Sequence, residues 1–240
     1  MERLNKVLSK SNVASRRASD KLILEGKIKV NGVVVTTLGT KISSTDTILV
    51  DNKPIAKSHL VYYLLNKPTG YISSTKDEKG RKTVLDLINV SDKVDRLYPV
   101  GRLDYDSEGL IIITNDGILT KFLTHPMNMV EKEYTARIEG LLKKEEIALV
   151  KKGVLINNSY LAKPKSIKFV KYEEEYGSSI VTLVLTEGKY HEVRDLFLTL
   201  GHKVLKLTRT RYDNLTIDIK KGEYRPLTPH EIKNIYRNVK

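Results

Sequence analysis

The run Leu110-Ile111-Ile112-Ile113 leaves the chain little freedom at that point. Successive large aliphatic side chains offer no polar face, so the segment reads as a buried strand. Immediately before it stands Gly101-Arg102-Leu103-Asp104-Tyr105-Asp106-Ser107-Glu108-Gly109, a charged stretch bounded by glycines. A polar turn that feeds a buried strand holds its side chains at the rim of a core, where a rigid scaffold can aim them. The carboxylates and the arginine of this turn are therefore the first candidates for chemistry.

The remaining pattern alternates strands and helices. Leu4, Val7 and Leu8 share one helical face, and Ser15 caps a second helix, Arg16 to Glu25, with the apolar stripe Ala18, Leu22 and Ile23 and a stop at Gly26. Ile28 to Val35 is a hairpin, because Asn31-Gly32 accepts the positive φ angles of a type I′ turn. A strand at Thr47–Val50 leads to a linker around Ile55–His59. Beyond it, Val61–Leu65 is a strand stopped by Asn66-Lys67-Pro68, and Asn115-Asp116-Gly117 opens a short helix through Phe122. Glu133–Ile138 is a strand with one buried face, Lys143–Lys152 a polar-faced helix, and Ser179–Leu185 another strand. Glu187-Gly188 then turns into a helix running to about Leu200. Thr228-Pro229-His230-Glu231 is a capping box that opens a last helix. The irregular strand order predicts an α+β protein with a mixed sheet rather than a doubly wound one, divided into residues 1–57 and 60–240.

Charge narrows the partner. The 240 residues carry a net +13, which calls for a polyanion, and no apolar run approaches the ~18 residues of a membrane span. Residues 1–57 hold 11 Lys or Arg against 5 Asp or Glu, and the other 183 hold 31 against 24. Less than a quarter of the chain thus carries nearly half of the excess, marking the first segment as the docking module. No cysteine is present, and the five histidines show no i, i+4 pair, so neither disulfide nor zinc site is expected. No apolar signal core opens the chain and no glycine-rich phosphate loop occurs, which argues against secretion and against an ATP or NAD enzyme.

The string Gly101 to Leu110, followed by Thr114-Asn115-Asp116-Gly117, resembles the signature of the RsuA/RluB family of ribosomal RNA pseudouridine synthases. Arg3-Leu4-Asn5-Lys6-Val7-Leu8, Ala14-Ser15-Arg16-Arg17-Ala18 and Lys29-Val30-Asn31-Gly32 resemble the S-four RNA-binding domain, named after a small-subunit ribosomal protein. The resemblance implies a small RNA-binding module followed by a larger catalytic domain with a mixed, mainly antiparallel sheet. It implies that Asp104 is the catalytic aspartate, acting at the ribose as nucleophile or as proton acceptor. Arg102 would help expel the target nucleotide or hold its phosphate. Tyr134, in Lys132-Glu133-Tyr134, would stack on uracil and act as a late acid or base, with Lys132 a phosphate contact. Arg194 would pair with Asp104, Leu207 would floor the pocket, and Arg16, Arg17 and Lys21 would contact phosphates.

Near Arg194 the sequence departs from the family pattern. Asp195 stands where a second arginine is common, and Tyr190-His191-Glu192 replaces a typical Asn-Arg-Gln. Lys79-Gly80-Arg81-Lys82-Thr83-Val84 and Tyr98 to Asp104 look most like the RluB branch, which acts on large-subunit RNA. The RsuA branch, acting on small-subunit RNA, is the near alternative, and an inactive RNA-binding or ribosome-assembly protein is the rival of a different class. A glycosidase using Asp104 and Asp106 lacks a placed second carboxylate. The expected protein is a cytoplasmic monomer that needs no cofactor or metal and acts on ribosomal RNA or a ribosomal subunit precursor.

Overall fold

A computed structural model describes residues 1–56, 59–89, 91, 96–157, 159–237 and 239. Of the expected linker, Lys57 and Ser58 lie outside the described residues. The chain separates into two compact units. The first runs from Met1 to Val61 and takes in two short later stretches, and the second holds the rest.

In the first unit a short strand, β1 (Glu2–Arg3), precedes helices α1 (Leu4–Lys10) and α2 (Arg16–Leu24). The Ser15 hydroxyl caps α2 by accepting the Ala18 N–H at 3.1 Å, and Gly26, at φ +68°, ends it. Strands β2 (Ile28–Val30) and β3 (Val33–Val34) form the expected hairpin. Asn31 and Gly32 both take positive φ, 50° and 83°. Strand β4 (Lys41–Ile42) pairs with β1, while β5 (Ile48–Val50) and β6 (Lys53–Pro54) complete a sheet in the order β3-β2-β5-β6. Leu4, Leu8, Ile23, Ile28, Ile42 and Ile48 form the core. One expectation fails here: Ala18 is exposed, and Ser19 takes the buried position beside Ile23. Residues 19 and 23 stack on one face of the helix, and the buried hydroxyl of Ser19 donates to the Ala14 carbonyl at 3.4 Å.

The second unit is built on β7 (Tyr62–Lys67), β8 (Tyr98–Val100), β9 (Glu108–Thr114), α3 (Gly117–Thr124), β10 (Lys132–Glu139) and α4 (Lys144–Lys152). A small hairpin, β11 (Val154–Ile156) and β12 (Tyr160–Ala162), follows. Then come β13 (Ser166–Glu173), β14 (Ser178–Leu185), α5 (Glu192–Thr199), β15 (Val204–Tyr212), β16 (Leu215–Thr216), β17 (Tyr224–Pro226) and α6 (Pro229–Tyr236). A nine-stranded sheet runs β13-β14-β10-β15-β9-β7-β17, with β8 added to β9 and β16 to β15. Its pairings are antiparallel except β9 with β15. This is the mixed, mainly antiparallel sheet of an α+β protein. Every residue of β9 is buried, and the capping box of Thr228 and Glu231 opens α6 behind Pro229.

Two elements differ from their sequence-based bounds. Strand β7 continues through Asn66 and Lys67, which pair with Leu110 and Gly109 of β9. Both polar side chains find carbonyl acceptors, Asn66 at Ile219 and Lys67 at several, so the strand carries them inward. Helix α5 begins only at Glu192, because His191 takes a left-handed conformation, φ 53°, just before it.

The parallel contact of β9 with β15 spans only Thr208↔Glu108 and Arg209↔Gly109. A Cβ on Gly109 would stand 2.3 Å from the Arg209 carbonyl oxygen, and its φ of +111° also disfavours any side chain. Gly109→Ala is therefore expected to separate the two strands and lower the melting temperature by more than about 10 °C, well beyond an ordinary surface substitution. Calorimetry of the purified variant checks this.

Candidate active site

The turn before β9 is held by its main chain. Lys67, 0% exposed, donates from Nζ to the carbonyls of Asp104 at 2.9 Å, Ser107 at 2.7 Å and Pro68 at 3.1 Å. Burial pushes its ammonium down to about 8, against the upward pull of the Asp104, Asp106 and Glu108 carboxylates. Ser73 adds a second clasp: its hydroxyl donates to the Leu103 carbonyl at 2.7 Å and accepts the Leu103 N–H at 3.0 Å. Within the turn, the Ser107 N–H donates to the Asp104 carbonyl. Glu108, just beyond, is buried. Burial alone would raise its pKa, but Lys221, Lys206 and Thr208 together hold it below the usual carboxylate value.

The turn forms one wall of a cleft of about 290 Å³. Asp104 and Arg102 from the turn, Tyr134 from β10, Arg194 from α5 and Leu207 from β15 all line it, so residues far apart in sequence meet in one place. Tyr134 is 8% exposed and Leu207 is buried, giving the cleft an apolar inner surface, while Arg102 stands exposed. Buried Glu192 also lines the cleft. Burial pushes its carboxyl up to about 7; the Lys189 N–H partly opposes this, and the charge of Glu187 adds to it.

Two expected roles are corrected by the contacts. Arg194 does not pair with Asp104: its Nη2 meets Asp106 Oδ2 at 3.0 Å and Ser107 Oγ at 3.2 Å, and Nη1 donates to the Val204 carbonyl. The two-residue advance through the turn aims Asp106 at α5. Asp104 faces His191 instead, with Nε2 to Oδ1 at 3.7 Å. Lys132 is buried rather than poised for a surface phosphate. Its Nζ donates to the Val130 and Glu187 carbonyls, and burial, with Arg209 nearby, pushes it down to about 8. It lines a second cavity of about 140 Å³, which shares Arg102 and Tyr134 with the cleft and also contains Arg209 and Tyr212. In the first unit, Arg16, Arg17 and Lys21 are all exposed on α2, with Lys21 3.8 Å from Glu25.

Sequence reasoning missed Lys67, Ser73 and His191. A signal for Lys67 existed: Tyr63, Leu65 and Lys67 recur with period two, which puts the lysine on the same side of the strand as two buried residues. Nothing comparable marks Ser73, and His191 stands out only within the Tyr190-His191-Glu192 departure from the family pattern, with no role attached to it. Among the described residues no group of His, Cys, Asp or Glu is arranged to hold a metal ion, and no helix is long and apolar enough to cross a membrane.

The RNA pseudouridylate synthase family model matches residues 61–199, more than half of the chain, and the S4 domain model matches residues 2–48. The chain belongs to the RNA pseudouridylate synthase family. It is 41% identical over 236 residues to the ribosomal large subunit pseudouridine synthase B of Bacillus subtilis (strain 168), covering 98% of this chain and 96% of that one. An uncharacterized RNA pseudouridine synthase of Aquifex aeolicus (strain VF5) is 38% identical, with 99% and 94% covered. The crystal structure of a pseudouridylate synthase, 28% identical, matches with a TM-score of 0.69 over 98% of this chain and 100% of that one. Of the cleft residues, Arg102, Asp104, Tyr134 and Arg194 fall inside the pseudouridylate synthase match, and Leu207 lies beyond it.

Lys67→Met keeps an apolar stem of similar length but leaves the Ser107 carbonyl without its lysine donor and the Asp104 carbonyl with the Ser107 N–H alone. In this pseudouridine synthase the change is expected to cost ~1–3 kcal/mol for each acceptor left buried and unpaired. It should also slow the single-turnover rate more than tenfold. Denaturant unfolding and rapid-quench kinetics measure the two effects, and an unchanged rate would mean that the turn holds its own shape.

Proposed function

We propose that this chain converts uridine to pseudouridine in large-subunit ribosomal RNA, with Asp104 as the catalytic carboxylate. The observation that carries the reading is the convergence of Asp104, Tyr134 and Arg194, from three separate elements, on one cleft. The 41% identical relative named for the large subunit supports the choice of RNA. The reaction breaks the bond from C1′ to N1 of uracil and forms one from C1′ to C5; a proton leaves C5 and N1 gains one. Substrate and product are isomers, so no energy source or redox partner is consumed.

Asp104 acts at the ribose side of the bond, where a carboxylate is a competent catalyst. Tyr134, nearly buried, offers its ring to the detached uracil, and stacking of this kind is worth ~1–3 kcal/mol per base. Arg194 acts through the turn: by holding Asp106 and Ser107 it fixes the backbone that carries Asp104. Arg102, exposed at the entrance, meets the phosphate of the incoming nucleotide, and Leu207 closes the apolar floor. The target must leave its helix to enter, at a cost of roughly a few kcal/mol. Arg16, Arg17 and Lys21 supply the docking charge from residues 1–57, and residues 60–240 form the catalytic domain. The enzyme works as a cytoplasmic monomer.

Asp104→Asn keeps the shape but removes the negative charge and the nucleophile. It is expected to abolish pseudouridine formation while leaving RNA affinity within a few-fold, as read by mapping pseudouridine in ribosomal RNA and by filter binding. Measurable turnover by the variant would sink the assignment.

Combined Arg16→Ala, Arg17→Ala and Lys21→Ala changes should flatten the salt dependence of binding. Each lost phosphate contact reduces the log–log slope by about 0.7–0.9. A slope equal to that of the wild type would place docking elsewhere on the chain.

A further inference from the structure

The loop between β14 and α5 carries a pair of rings that the reaction itself does not require. Tyr190 and His191 are stacked, with centroids 3.9 Å apart and planes inclined by 14°. Both line the cleft, yet Tyr190 is 71% exposed. A stacked pair covers one face of each ring, and this exposure leaves much of the Tyr190 ring open to solvent. A large aromatic surface gains nothing by facing water.

The backbone beneath the pair is also unusual. His191 adopts φ 53°, a left-handed conformation uncommon for a residue with a side chain, and such outliers gather at functional sites. The same residue places its Nε2 3.7 Å from Asp104. The stack is therefore a shelf at a set position relative to the carboxylate, at the cleft's rim rather than its floor.

From this geometry we propose that Tyr190 is a base-stacking subsite for the nucleotide adjacent to the target uridine. The inference rests on the function proposed above. When the target base swings out of its helix, its neighbours lose a stacking partner. The two tyrosines of the cleft divide the work: Tyr134, nearly buried, serves the base inside, and Tyr190 receives the base left outside. A ring has a π-face for any base, so the subsite adds affinity without reading sequence.

The test uses the full-length protein and an unmodified fragment of large-subunit ribosomal RNA containing the target uridine. Abasic nucleotides replace the flanking positions one at a time. Tyr190→Leu is expected to weaken binding of the intact fragment roughly 5- to 100-fold, and Tyr190→Phe should stay within about twofold of wild type. At one flanking position the abasic RNA should bind wild type and Tyr190→Leu equally. Because the side chain is mostly exposed, thermal melts of both variants should overlay that of wild type. Full affinity in Tyr190→Leu, a Phe variant as weak as the Leu variant, an early melt, or a Leu penalty that persists at every abasic position would each overturn the proposal. Wild-type turnover on the intact fragment is measured alongside. Turnover without coupling defeats only the stacking subsite, whereas no turnover defeats the proposed function and the subsite with it.

Discussion

The ammonium of Lys67 is buried with no carboxylate salt bridge among the described residues, and its hydrogens go instead to three main-chain carbonyls, two of them in the turn that carries Asp104. Burying a charge costs several kcal/mol unless its hydrogen bonds are satisfied, and carbonyl groups in fixed positions can satisfy them. The arrangement works because β7 and β9 are neighbours in the sheet, with Lys67 registered opposite Gly109. Gly109 is also the residue against which the Arg209 backbone packs. One short region therefore sets the end of β7, the beginning of β9, the seam to β15 and the shape of the turn that carries Asp104. Any side chain at Gly109 disturbs all four together.

The turn contains two carboxylates with different surroundings. Asp106 is tied to Arg194 at 3.0 Å, whereas among the described residues the Asp104 carboxylate has the longer approach of His191, 3.7 Å. A carboxylate locked in a close ion pair is held for structure, and one left with a lighter contact is available to a substrate. The guanidinium expected beside Asp104 holds its neighbours Asp106 and Ser107 instead, and reaches the proposed catalytic carboxylate only through the backbone between them. This division relies on the turn being rigid, and so on Lys67 and Ser73.

Local signals in the sequence carry through to the structure. The Asn31-Gly32 hairpin, the Ser15 cap and the capping box at Thr228 each depend on a few adjacent residues with one favourable geometry, and all three stand in the structure. The buried strand at Leu110 followed from the absence of a polar face. The cleft residues were legible through family motifs, and the structure brings Asp104, Tyr134, Arg194, Arg102 and Leu207 together. Their contacts were not legible. Which carboxylate meets Arg194 depends on the rotation of a two-residue step in the turn. The burial of Lys132 follows the alternation of β10, which puts it on the face of Tyr134, Ala136 and Ile138, but its carbonyl partners at Val130 and Glu187 do not follow from that pattern. Ala18 and Ser19 exchanged places because a stripe can drift by one position on a short helix. These are consequences of tertiary packing, which local pattern does not encode.

A turn clasped by a buried ammonium on one side and a serine hydroxyl on the other behaves as a mould rather than a hand. In the reaction proposed above, such a turn has no need to close around its substrate, and the nucleotide must come out to it. A uridine that must first work free of its own stem bears the cost of that opening, so local looseness would favour its capture alongside sequence. Sites in tight duplex would be visited and left untouched, while the same letters in a breathing loop would be captured. Selectivity in such a protein is partly a property of the folding landscape of its substrate.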